Sequence, residues 1–450
     1  MLTDDEVEHL LEKNPQNHKE AGFDKGWPTR FATIFDLAKE FGFVNYWQGK
    51  KIQFSEIGLK LANSINIKTE DGLIMTEDSH PEYVQLAFLN ALVKYQRNNP
   101  FVRVLNENSP LILLLSVIKL INEDKEYGGS GISKLELPLI IFWKNNDADE
   151  LYKLIKEIRK NYGYSPSPEV IIDICINKIM EGKFKKFNPK SILVDYPDEF
   201  IRKMRLTGLI SFRGSGRFID INKNEQKKVD YVLEKYSTYK KYITEDEYFE
   251  YMSTVDENFI SFSPKPFSIS ERDAFLLKWS NIYSWNKIKT ELLSLAKRGL
   301  SKDDILKYLS NPVRLEFLVS LAIKSRFPKI KVVANYPYDD EGLPTSTASG
   351  IGDRGDIECF EDGKGILIEV TMSEGRVQTM LEVWPISRHL EKFKETIDES
   401  MCYFVAPSIF RDTVKQINFV KDDEGLLIIP KTIDGFLSFI EDRTSLYALA

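Results

Sequence analysis

Apolar residues recur at three- and four-residue intervals through 29–41, and Gly42 follows, the pattern of an amphipathic helix closed at its C-terminus. FVNYW, the turn residues Gln48 and Gly49, and KKIQF then read as a short hairpin, and Ser55 opens another helix. Helix, hairpin and helix in this order suggest a winged-helix module. The order returns at 199–225, where a helix, Gly208 and two strands flank the turn Arg213-Gly-Ser-Gly-Arg217. Helical periodicity also covers 81–97, 111–126, 134–143, 147–162 and 168–187. The most apolar stretch, LILLLSVIKLI at 111–121, is interrupted by Ser116 and Lys119 and reads as a buried helix. No run reaches the roughly 18 apolar residues that a membrane span needs. After a helix-rich stretch at 225–251, the turn-rich SFSPKPFSIS at 261–270 reads as a linker. The expected division is therefore a helical, winged-helix region at 1–260, a linker at 261–270, and a second unit at 271–450.

The second unit has the sharper pattern. Asn311 and Pro312 start a helix that is apolar almost all round, VRLEFLVSLAI, with Glu316 inside it. A long Gly/Ser/Thr/Pro-rich loop at 336–355 follows. In DIECFEDGKGILIEVT (356–371), Asp362-Gly363 is a strong two-residue hairpin signal. That turn sets Glu361 opposite Lys364 and Cys359 opposite Ile366, and carries Asp356 opposite Glu369. Ile357, Cys359, Ile366, Ile368 and Val370 then share an apolar face, and Asp356, Glu369 and Thr371 share the other. The segment 373–393 reads as one helix, with Glu382 and His389 seven apart on one side and Pro385 kinking it.

Composition narrows the class. With 450 residues, 42% hydrophobic and 29% charged, the chain suits two to four globular domains, not a disordered or collagen-like polymer. The acidic, amphipathic start MLTDDEVEHLLEKN does not read as a signal peptide. Three cysteines, Cys175, Cys359 and Cys402, show no metal-like spacing and point to a reducing, cytoplasmic compartment. Histidines at 9, 18, 80 and 389 are too scattered for a zinc site. The net charge of −7 divides unevenly. Residues 1–150 carry 16 basic and 23 acidic residues (−7), 151–350 carry 34 and 26 (+8), and 351–450 carry 11 and 19 (−8). A basic middle beside an acidic end fits a phosphate-binding surface next to a cation-holding carboxylate cluster. Candidate phosphate contacts are Arg213 and Arg217, flanking a Gly-rich tip, and Lys183, Lys185 and Lys186 in the basic–aromatic run KFKKFNPK.

The carboxylates carry the chemistry. Glu316, inside an apolar run, needs a cation, a hydrogen-bond partner or a proton. Directly opposed Asp356 and Glu369 repel unless a divalent cation lies between them, and oxygen ligands suit Mg²⁺, with Mn²⁺ able to substitute. An Asp at the start of one strand and a Glu about a dozen residues on is the pattern of a metal-dependent nuclease. The Lys that often follows two positions after the Glu is replaced by Thr371.

Together NPVRLEFL, GDIE, IEVT, Gln378-x3-Glu382 and Pro385-x2-Arg388-His389-Leu390 resemble the AlwI-like restriction endonucleases, type IIS enzymes with strand-nicking relatives of the BstNBI kind. The resemblance covers most of the chain and is strongest at 311–393. It implies an α+β multidomain protein with a helical, winged-helix recognition half and an α/β PD-(D/E)xK-type nuclease domain. It places the acidic metal ligands at Glu316, Asp356 and Glu369, with the Val370 carbonyl, and adds Glu382 and His389 as site residues. It implies Mg²⁺-dependent hydrolysis of double-stranded DNA at an asymmetric site, and a cognate DNA methyltransferase as functional partner. It further implies a prokaryotic cytoplasmic setting. Cutting both strands would then require a transient dimer or a second subunit, because each chain holds one constellation. Three other readings share these residues: a strand-specific nicking endonuclease, a DNA-binding regulator on an inert nuclease fold, and an RNA- or repair-directed nuclease on a similar fold.

Overall fold

A computed structural model describes residues 35–46, 51–70, 73–78, 81–183, 188–262, 267–348 and 354–447. Two compact units are present. The first draws its described residues from Met1–Ser64, Tyr83–Thr207 and Lys227–Ser263, and the second from Ile65–Glu82, Gly208–Gln226 and Pro264–Ala450.

The first unit is helical. A helix through 35–40 is followed by a minimal hairpin, Val44–Asn45 against Gln53–Phe54, and by the helix Glu56–Ala62, whose amide at Gly58 donates to the Ser55 hydroxyl. The apolar stretch forms the helix Pro110–Glu123, with Leu111 through Leu115 all buried. The periodicity at 168–187 is only partly realised. An α-helix spans Pro168–Asp173, a π-helical turn spans Ile174–Ile179, and left-handed Glu181 (φ +53°) and Gly182 end it. Among the described residues no helix is long and apolar enough to cross a membrane.

The second unit contains a hairpin, β1 (Ile210–Arg213) and β2 (Phe218–Ile221), and then helices α1 (Ile269–Ile282), α2 (Trp285–Ala296) and α3 (Asn311–Arg326). Next come β3 (Lys331–Ala334), β4 (Ile357–Glu361), β5 (Lys364–Val370), α4 (Arg376–Leu381), α5 (Val383–Lys394), β6 (Ser400–Ala406), α6 (Arg411–Glu424), β7 (Ile428–Thr432) and α7 (Ile433–Glu441). The five later strands form one mixed sheet in the order β7-β6-β5-β4-β3. β3, β4 and β5 run antiparallel to their neighbours, while β5, β6 and β7 are parallel and joined by helices.

The β4–β5 register agrees with the sequence reading: Lys364 faces Glu361, Gly365 faces Phe360, Ile366 faces Cys359 and Ile368 faces Ile357. The turn has Asp362 at φ +49° and Gly363 at φ +82°, the two positive angles that a type I′ turn requires. The expectation of one apolar face is corrected. β5 is central, and Ile366, Leu367 and Ile368 are all fully buried. Leu367 packs with Val383, Ile386 and Leu390 of α5 and with Cys402 and Phe404 of β6. A strand joined by parallel crossovers is covered by helices on both sides, so a continuous apolar run replaces alternation. Glu369 belongs to the same face as Leu367, so it lies where apolar cover gives way to the end of the strand.

The single helix expected at 373–393 is also corrected. It is two helices, α4 and α5, meeting at Glu382 (φ −99°, ψ −47°). Pro385 cannot donate to the Leu381 carbonyl, and its ring would clash there. The helix therefore breaks and restarts so that Pro385 falls in the first turn of α5.

Candidate active site

Glu316, on α3, is 4% exposed, and its Oε2 accepts the Ala348 amide at 2.9 Å. Ala348 ends the described part of the long loop, so a backbone donor 32 residues away caps this buried carboxylate. Burial, and secondarily the charge of Glu369, push the Glu316 carboxyl up to about 8.

Asp356 stands immediately before β4, and its Oδ2 accepts the Val370 amide at 2.8 Å. This side-chain bond lies just past the last paired residues of the β4–β5 ladder, Ile357 and Ile368, and holds Asp356 beside Glu369. Burial pushes the Asp356 carboxyl well above the usual carboxylate range; Glu369 and Glu316 push the same way, against the Val370 hydrogen bond. Its backbone is fixed from the other side. The Asn335 amide donates to the Asp356 carbonyl at 2.8 Å, and Asn335 Nδ2 donates to the Gly355 carbonyl at 2.7 Å. A Cβ on Gly355 would lie 2.3 Å from Glu369 Oε1 and 2.6 Å from Leu367 Cδ1, so a side chain here would force both to shift.

Glu369 is 6% exposed, and its Oε1 meets His389 Nδ1 of α5 at 2.9 Å. Glu382, at the helix break, accepts the Thr371 hydroxyl at 2.7 Å on Oε1. Glu382 and His389 do not act from one continuous helix face. They reach Thr371, just past β5, and Glu369 near its end, two positions on one face, and the break between α4 and α5 permits this.

Glu316, Asp356, Glu369, Glu382 and His389 are thus gathered at the end of β4 and β5. Asp356 Oδ1, Glu369 Oε2 and Glu316 Oε1 accept no hydrogen bond from any described residue. Among the described residues no three His, Cys, Asp or Glu side chains converge to ligate one ion. The oxygens of Asp356 and Glu369 that carry no bond from a described residue are hard donors, of the kind that Mg²⁺ takes one or two of, with water and phosphate oxygens supplying the rest.

The surface candidates fare differently. Arg213 is not presented at a flexible tip. Its guanidinium grips Asp340 at 2.6 Å, with Asp220 at 3.4 Å and Glu341 at 3.5 Å, and its side chain is 14% exposed. The tip itself is seated, since a Cβ on Gly216 would lie 2.8 Å from Ile305. Arg217 is exposed, with Nε donating to the Gly214 carbonyl at 3.2 Å. Lys183 is exposed and pairs with Glu181 at 2.8 Å, while Lys185 and Lys186 lie outside the described residues. Sequence reasoning missed Ala348, Asn335 and Gly355. The Gly before Asp356 was the available signal; the other two act through backbone or from outside the hairpin.

The AlwI restriction endonuclease family model matches residues 39–271 and 270–439. The chain belongs to the AlwI restriction endonuclease family. It is thus a member of a type II restriction endonuclease family related to type IIS enzymes, and its family activity is that of a DNA nuclease. Among solved structures, it is similar to the small subunit of the heterodimeric restriction endonuclease BspD6I, at 25% identity over 34% of this chain and 76% of that one, TM-score 0.29. It is also similar to the restriction endonuclease FokI, at 10% identity over 92% of this chain and 79% of that one, TM-score 0.27. The DNA-bound form of FokI matches at 11% identity over 90% and 77%, TM-score 0.24. No curated protein matches significantly. Within this AlwI-family chain, the carboxylates described above are the acidic group that sheet and helices bring together.

Proposed function

We propose that this AlwI-family chain is a type IIS restriction endonuclease that hydrolyses DNA phosphodiesters at an asymmetric site with Mg²⁺, Mn²⁺ substituting. The observation that carries the reading is the Asp356–Glu369 pair, opposed at the end of β4 and β5, each with one oxygen bonded and one without a described partner. We read the sheet with α3 and α5 as a PD-(D/E)xK-type core. The helix–hairpin–helix at 35–62 is read as a winged-helix recognition element.

Asp356, Glu369 and the Val370 carbonyl would hold the cation. Bound there, it lowers the pKa of an attacking water and neutralises charge on the phosphate. The protein's part is to fix the donors. The Val370 amide holds Asp356 at Oδ2, and His389 holds Glu369 at Oε1. Glu316, raised to about 8, keeps a proton near neutral pH unless positive charge arrives, so it suits the orientation of water beside the pair. Thr371 stands where a lysine is common, and its hydroxyl is committed to Glu382; Glu382 or His389 orients water or stabilises the scissile phosphate in its place. Arg217 and Lys183 serve as phosphate contacts, and one site per chain calls for a transient dimer or second subunit to cut both strands. A cognate methyltransferase would protect host DNA. Incubating the full chain with methylated and unmethylated plasmid in Mg²⁺, then mapping the ends, tests this reading. Discrete cuts on unmethylated DNA alone support it, and intact plasmid in both arms contradicts it.

A further inference from the structure

The helix α2 ends in a Schellman motif: the Arg298 amide donates to the Leu295 carbonyl at 2.8 Å and the Gly299 amide to the Ser294 carbonyl at 2.8 Å. The left-handed position of this motif is where glycine is favoured. Here Arg298 occupies it, at φ +58°, although a glycine stands one residue later. The C″ position, where such a motif usually folds an apolar side chain back on the helix, is Gly299 and has none to fold. Leu300, the next residue, is 85% exposed, more than any other exposed large hydrophobic among the described residues.

The loop is nonetheless held firmly. The guanidinium of Arg314, itself 2% exposed, donates to the Gly299 carbonyl at 2.7 Å. A Cβ on Gly299 would strike Ser294 Oγ at 2.4 Å. Lys297, Arg298 and Lys302 are all exposed around Leu300. Arg298 reaches the Met372 carbonyl at 3.3 Å and Glu374 at 3.6 Å. Those residues follow directly on Thr371, so the loop stands at the exit of the strand that carries Glu369.

We propose that the 297–302 loop is a DNA-contacting finger beside the cleavage site, with Leu300 pressed into the minor groove and Lys297, Arg298 and Lys302 on the flanking phosphates. The inference rests on the reading of the chain as a DNA nuclease. The occupant follows from charge and chemistry: three cations around one apolar tip suit a polyanion with a partly apolar groove, and apolar wedges between base steps are a known minor-groove device. A left-handed arginine in a loop anchored through the Gly299 carbonyl is the kind of local conflict that persists where a binding surface needs it.

The test uses the full chain, as wild type, Arg298→Gly and Leu300→Ser. Binding to a fluorescent 30-base-pair duplex is measured without divalent metal across a salt series, together with plasmid cleavage in Mg²⁺ and Tm. Arg298→Gly relieves the left-handed strain, so Tm should not fall, while the salt slope should drop by about 0.9, one phosphate contact. Leu300→Ser should weaken duplex binding roughly tenfold, with an unchanged salt slope, because an apolar contact releases no counterions. Wild-type binding and salt slope in both variants would overturn the proposal, as would affinity losses that only track a fall in Tm. A wild type that binds duplex but cuts none sinks the catalytic reading alone, and the finger is then judged on binding. A wild type that binds no duplex overturns both.

Discussion

The Val370 amide donates to Asp356 Oδ2 at 2.8 Å, one step beyond the last paired residues of β4 and β5, and so sets Asp356 beside Glu369. Two carboxylates in this relation repel, and α3 adds a third, Glu316, to the same field. Burial and this field together raise Asp356 and Glu316 above the usual carboxylate range, and on the reading proposed above a bound cation would offset both.

Metal should stabilise the second unit, and Glu369→Gln should abolish most of the effect. Any ligand that binds the native state alone raises Tm by mass action. Glu369→Gln keeps a side-chain oxygen for His389 but removes one repelling charge, so its metal-free Tm should lie slightly above wild type. Equal Mg²⁺-induced shifts in the two proteins would remove Glu369 from the site. Ca²⁺ should bind without turnover, because its looser coordination fixes water and phosphate less well.

The pH dependence has a definite sign. Glu316 is raised from 4.5 to about 8 in the folded protein. A carboxyl raised by folding contributes stability that is complete below its unfolded value and is lost as pH rises through the folded one. Metal-free stability should therefore fall between about pH 4.5 and 8, with Asp356 acting in the same direction. Glu316→Gln should flatten this slope, and Mg²⁺ should stabilise more at pH 8 than at pH 6. Denaturant melts at the two pH values decide it; a Glu316→Gln slope equal to wild type contradicts the assignment.

The hairpin register was legible in the sequence because Asp362-Gly363 fixes the turn and the side-chain period of two does the rest. The helix break at Glu382 was less so. Pro385 announces a disturbance, but whether a helix kinks at proline or restarts ahead of it depends on what neighbouring side chains can gain. Here Glu382 gains Thr371, and His389 gains Glu369. The seating of Arg213 was not legible at all, since its partner Asp340 lies 127 residues away and a Gly-rich turn between arginines looks solvated from sequence alone. The cover over the Glu369 face came from α5 and β6, elements whose packing no hairpin pattern encodes.

Turn chemistry gives a stability prediction separate from catalysis. No atom lies within 4 Å of a Cβ built on Gly363, so Gly363→Ala meets no clash. It does meet φ +82°, and a left-handed residue with a Cβ costs about 1–2 kcal/mol. Chemical denaturation should show that loss with kcat little changed. Inserting a residue between Asp362 and Gly363 should instead abolish cleavage, since a one-residue slip sends Glu369 to the opposite face.

Gly355→Ala should do the reverse. Its Cβ would press on Glu369 Oε1 at 2.3 Å and displace the carboxylate from His389. Cleavage should fall by about 100-fold, the scale of a roughly 1 Å misplacement at a catalytic centre. A variant with wild-type kcat would show that Glu369 need not stand where it does.

The central claim is that Asp356 and Glu369 together hold the cation used in DNA hydrolysis. Plasmid cleavage by wild type and Asp356→Ala in Mg²⁺, with duplex binding measured on the same preparations, tests it most directly. The account predicts discrete cuts by wild type, none by Asp356→Ala, and equal binding by both. Continued cutting by Asp356→Ala at wild-type positions would contradict it.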